Sequence, residues 1–108
     1  MSAPLPDDDL ARRAAGAADL LRLVGNEHRL QVLCALRTGE MSVGDLARML
    51  GLSSSALSQH LAKLRAARLV EGRREAQTIH YRIIDATVLA LVEALAQIMD
   101  QRRARGLV

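Results

Sequence analysis

The chain has 108 residues, half of them hydrophobic, with one Tyr, no Phe or Trp, one Cys and a formal charge of +3. That length suits a single domain, and that apolar content excludes a disordered polar tail. The lone cysteine excludes an internal disulfide, no apolar run approaches the ~18 residues of a membrane span, and the start lacks the basic and apolar run of a signal peptide, so a cytoplasmic protein is expected. A core of Leu, Ala, Val and Ile without large aromatics points to packed helices, and a chain this small gains from a partner subunit.

The elements follow in order. Residues 1–8 read as a flexible lead. Asp7, Asp8 and Asp9 offer an N-cap and first-turn negative charge for a helix running to about Val24, with Leu10, Ala14, Ala17, Leu21 and Val24 at helical spacing. Gly25-Asn26 breaks it. A second helix is expected from about Glu27 to Arg37, with Leu30, Leu33 and Leu36 inward and Gly39 ending it. Ser42 caps a third helix, with Asp45 completing a capping-box-like pair and Val43, Leu46, Ala47 and Leu50 forming its apolar face. Gly51 makes the turn, Leu52 fills the core, and Ser53 caps a fourth helix ending near Ala67. The period then changes to alternation: Leu69-Val70 leads a strand, Arg73 to Gln77 forms a tip, and Thr78 to Ile83 returns with Ile79, Tyr81 and Ile83 on one face. Asp85 caps a last helix from about Ala86 to Arg103, and residues 104–108 read as a flexible tail. Residues 1–108 thus form one domain, mainly α with a small β-hairpin.

The fourth helix carries the clearest functional pattern. With Leu57, Leu61 and Leu64 inward, the opposite face holds Ser55, Gln59, Ala62 and Ala66, flanked by Ser58, His60 and Lys63. A solvent face is normally rich in Lys and Glu, and the first two turns here have neither. Small residues let a helix sink into the major groove, Gln59 can pair bidentately with an adenine edge, and hydroxyls serve donors or acceptors. Ser53 and Ser54 stand at the helix start, where free N–H groups can hold a phosphate. An ordinary amphipathic helix with a polar face is the competing reading.

Between His60 and Arg82 the cations are Lys63, Arg65, Arg68, Arg73, Arg74 and Arg82, against Glu71 and Glu75. This local excess suits a polyanion. Arg73 and Arg74 at the hairpin tip are expected to contact phosphates or the minor groove, with Gln77 reaching sugar or base edges. A hairpin charged merely for solubility would look similar.

Asn26-Glu27-His28-Arg29-Leu30, Leu57-Ser58-Gln59-His60-Leu61 and Arg73-Arg74-Glu75-Ala76-Gln77-Thr78 together make the chain, from about Val24 to Met99, resemble the ArsR/SmtB (arsenic-repressor) family of winged helix-turn-helix transcription regulators. They are most similar to its haemolysin-regulator, biofilm-growth-repressor and nodulation-regulator subgroup. The resemblance implies an α-α-α-α-β-β-α fold, a homodimer and an imperfect inverted repeat in promoter DNA. The residues argue for the dimer too: Val88, Leu91, Val92, Leu95, Ile98 and Met99 stripe the last helix, and the first helix adds its own apolar residues. The stripe could also simply cover the subunit's own core.

The family's sensing chemistry is largely missing. Soft-metal sensors carry cysteines where Ser42 and Gly44 stand, and zinc sensors carry an Asp with several His on the last helix, where only Asp85 matches. No metal site and no cofactor are expected. Cys34 matches the first cysteine of sulfide-responsive members, but their second falls on Asp100, so a two-thiol switch within one subunit is excluded. Cys34 is left either as a small buried apolar residue or as a single-thiol redox or sulfide sensor. No nucleophile–base pair, phosphate loop or carboxylate pair suggests an enzyme. The expected function is a sequence-specific repressor on promoter DNA, its effector unknown; the alternative is a winged-helix protein-interaction module.

Overall fold

The computed structural model describes residues 8–107. The expected cap at Asp7 and most of the expected lead lie outside them. Asp8, assigned to the lead by the sequence reading, is already helical. The order is α1 (Asp8–Val24), α2 (Glu27–Leu36), β1 (Met41–Ser42), α3 (Val43–Leu50), α4 (Ser54–Ala66), β2 (Val70–Glu75), β3 (Thr78–Ile83) and α5 (Ala86–Ala104).

Local chemistry sets the boundaries. Asn26 caps α2 by accepting from the Arg29 N–H at 3.1 Å, while the Arg29 Nε donates to the Leu23 carbonyl at 2.6 Å and closes α1. Ser42 Oγ accepts from the Asp45 N–H at 3.1 Å. The second half of the capping box is replaced: the Asp45 carboxylate takes the Arg48 guanidinium instead. Gly51 ends α3 at φ 65°, a conformation that favours glycine. Arg68 ends α4 with φ 61°, and Leu69 N–H reaches the Leu64 carbonyl at 3.0 Å. At the far end, Leu107 N–H donates to the Arg102 carbonyl at 2.7 Å, so a hydrogen-bonded cap stands where a tail was expected.

One core joins these elements. Val32, Leu33 and Leu36 of α2, Leu46 of α3, Leu57, Leu61 and Leu64 of α4, Val70, Tyr81, and Val88 and Val92 of α5 are buried together. The expected inward faces of α3 and α4 are the observed ones.

The sheet has three strands in the order β1-β3-β2, all antiparallel. β1 is an addition to the expected pattern: Met41 pairs with Tyr81 and Ser42 with His80. So short a strand leaves no alternation to read. The hairpin ladder also runs further than expected, to Glu75 opposite Thr78. Its tip is Ala76-Gln77, with Ala76 at φ 55°. A Cβ on Gly72 would stand 3.1 Å from the Tyr81 Cζ and 3.2 Å from the Ile79 Cγ2, so the Tyr81 ring lies across the glycine.

The apolar stripe of α5 divides in two. Val88 and Val92 cover the core, whereas Ile98 is 48 % exposed and Met99 49 %. Along α1 only Val24 is buried, and Leu10 and Leu21 are 63 % and 56 % exposed. No helix among the described residues is long and apolar enough to cross a membrane.

Candidate nucleic-acid interface

Three leucines on one side of α4 fix what its other side presents. Leu57 and Leu64 are fully buried and Leu61 nearly so, which turns Ser54, Ser55, Ser58, Gln59, Ala62, Lys63 and Ala66 outward. This face is short, donor-rich and free of carboxylates. Ser53 is spent on structure: its Oγ accepts from the Ala56 N–H at 3.1 Å and lies 3.4 Å from Ser55 Oγ.

His60 does not belong to that face. It is half-buried, and its ring packs on His28 of α2 with centroids 5.4 Å apart. Its Nδ1 is shut off from solvent without a hydrogen-bond partner among the described residues. Burial, then the neighbouring charges of His28, Arg29 and Lys63, hold its pKa below the ordinary histidine value. It packs α4 against α2, one residue beyond Gln59.

Arg73 and Arg74 fall on opposite faces of the wing. Pairing of Arg73 with His80 and Arg74 with Ile79 places both within the ladder rather than at the tip. Arg73 donates to Glu40 Oε1 at 2.6 Å and to Glu75 Oε2 at 3.1 Å. These hydrogen bonds push the Arg73 pKa up and the Glu40 pKa down. His80 sits between the same carboxylates, its Nε2 3.7 Å from Glu75, and Arg82 Nε donates to Glu71 at 2.9 Å. The outer face of the wing is therefore internally neutralised. Sequence reading missed Glu40, because nothing in its neighbours marks a residue 33 positions away as the partner of Arg73. Arg74 lies with Ile79 and Tyr81 on the face toward α4, exposed and without an ion pair among the described residues. Gln77 occupies the tip.

Away from this surface, Cys34 is half-buried. It lines a depression of about 370 Å³ together with Leu30, Arg37, Met99 and Asp100. The structure thus brings together the two positions that sequence matching had paired, one a thiol and one a carboxylate. Among the described residues no three His, Cys, Asp or Glu side chains converge as metal ligands.

The comparisons bear on this surface. The family described as "Bacterial regulatory protein, arsR family" matches residues 26–72, which run from the cap of α2 through α4 into β2. The transcriptional activator HlyU of Vibrio cholerae is 46 % identical over 99 residues, 92 % of each chain. The structure of reduced HlyU from that organism superposes with a TM-score of 0.82, covering 85 % of this chain and 97 % of that one. The transcriptional repressor BigR from Xylella fastidiosa gives 0.78 at 38 % identity, covering 88 % and 94 %. A homodimeric winged helix-turn-helix DNA-binding domain from Mycobacterium bovis gives 0.72 at 30 % identity, covering 98 % and 95 %.

Proposed function

The chain belongs to the arsR family of bacterial regulatory proteins and is a DNA-binding transcriptional regulator; we propose that it works as a dimer on an inverted repeat in promoter DNA. Two copies join through α1 and the uncovered end of α5, and the two-fold axis sets their α4 helices into successive major grooves. Ser54, Ser55, Ser58 and Gln59 read or abut base edges, Lys63 and Arg74 hold phosphates, and Gln77 reaches sugar or base edges beside the wing. Ser53 aids indirectly by fixing the first turn of α4.

The carrying observation is the outward face of α4, which offers hydroxyls and an amide but no carboxylate. A helix turned merely to solvent has no reason to exclude Glu and Asp. The dimer is supported by α1, whose 17 residues bury only Val24 within the subunit, and by the homodimeric state of the Mycobacterium bovis domain. The mode we infer is repression by occlusion of the promoter, in the cytoplasm where promoter DNA lies.

Enrichment of duplexes from a randomised pool by the purified protein tests this reading. It should return an inverted repeat with half-sites about 10–10.5 base pairs apart, centre to centre. Affinity should fall steeply with salt while sequence preference persists. A pool that emerges unenriched overturns the proposal.

A further inference from the structure

An open groove of about 670 Å³ runs between α4 and the inner face of the wing, closed at one end by the start of α3. Its lining contains two guanidinium groups, Arg48 and Arg65, and no carboxylate. The two arginines differ in state. Arg48 is paired with Asp45. Arg65 is exposed and has no carboxylate partner among the described residues. Ser58 and Thr78 contribute hydroxyls from opposite walls, and Ala62 and Ile79 add apolar surface.

We propose that this groove clamps the sugar–phosphate backbone of one DNA strand, with Arg65 as its principal phosphate contact. The inference rests on the DNA-binding reading above and adds a residue to it. A backbone needs cationic and hydroxyl donors for its phosphates and an apolar wall for its deoxyriboses, and the groove supplies both. Position supports the assignment. Residues 54, 58, 62 and 65 follow one another at helical spacing along the wing side of α4. A strand flanking the groove entered by α4 therefore passes between Arg65 and the wing. Arg74, on the wing face that looks toward α4, brackets the same strand from the other side. Among the described residues no carboxylate offsets the charge of Arg65, which distinguishes this groove from the neutralised outer face of the wing.

The test uses the full-length protein and the duplex enriched from the randomised pool by wild type. Arg65→Gln should lower the dependence of log affinity on log salt by about one per subunit, leave the enriched sequence unchanged and remove interference from ethylation of the phosphates it contacts. Arg65→Lys should retain most of the salt dependence, because the charge stays although the guanidinium fork is lost. A merely structural role for Arg65 would move neither the salt slope nor the interference pattern. If Arg65→Gln binds the enriched duplex with the wild-type slope and the wild-type interference pattern, the clamp is overturned while the DNA-binding reading stands. If wild type enriches no duplex at all, both fall.

Discussion

Arg73 of β2 donates to Glu40 across 2.6 Å, so a cation that looks available for DNA in the sequence is bound to the segment just before β1. The contact ties the wing to the body of the domain. Its neighbour Arg74 has no such tether among the described residues. Arg74→Ala should reduce the salt dependence of DNA binding by about one per subunit and weaken binding to all sequences alike. Arg73→Ala should leave that slope near wild type but speed amide exchange along β2 and β3. The same change should let the Glu40 carboxyl, held down chiefly by the Arg73 hydrogen bond, titrate closer to the ordinary range in a carbon-detected NMR titration. Because the folded-state pKa is the lower one, the tie is complete above the ordinary Glu value and is lost as pH falls through the depressed one. Reversed slope effects at the two arginines would refute this division.

Gln59 stands outward on α4 next to the half-buried His60. Gln59→Ala should relax sequence preference at one base pair per half-site, by ~1–3 kcal/mol of discrimination. Competition between enriched and single-substituted duplexes measures it. Uniform weakening across every position would assign Gln59 to the backbone instead.

Leu21 on α1 and Ile98 on α5 are large apolar residues left open by the subunit's own fold. Leu21→Glu or Ile98→Glu should shift the protein from dimer to monomer in light scattering and abolish tight binding to the inverted repeat, since each half-site alone engages a single α4. A dimer that persists through both changes would place the interface elsewhere.

Arg68 follows α4 in the left-handed region at φ 61°, where a side chain is disfavoured. Arg68→Gly should raise stability by up to about 1 kcal/mol, read as a higher urea midpoint with an unchanged slope. A lower midpoint would mean that the Arg68 side chain contributes more than its backbone strain costs.

Burial, then the neighbouring charges of His28, Arg29 and Lys63, hold the His60 pKa below the ordinary histidine value. The folded-state pKa is depressed for a base, so the unfolded chain takes up the proton first, near pH 6.5. Stability should be full above that pH, fall as pH drops through it toward the lower folded value, and then level off. His60→Gln should flatten that part of the wild-type curve in parallel thermal melts. Curves that stay parallel through this window would show that His60 titrates alike in both states.

Much of this molecule is local and was readable as such. The caps at Ser42, Ser53 and Asp85 accept backbone N–H groups within the next three residues, so short-range spacing suffices to place α3, α4 and α5, whereas Asn26 was read only as a break and proves to cap α2. The outward face of α4 follows from Leu57, Leu61 and Leu64 by helical geometry alone. Strand β1 was not readable, because its pairing with Tyr81 and His80 is nonlocal and its length leaves no period.

The chain's own pattern therefore determined the helices, the hairpin and the donor-rich outward face of α4, all of which depend on contacts within about one or two helical turns or on alternation along a strand. Tertiary structure alone decided which charged residues are free and which half of the α5 stripe stays uncovered. It also decided that His60 packs inward against His28 and that Arg65 faces the wing across an open groove. Ion pairing, burial and clefts depend on which distant segments the packed core brings together, and residue spacing carries no record of that distance.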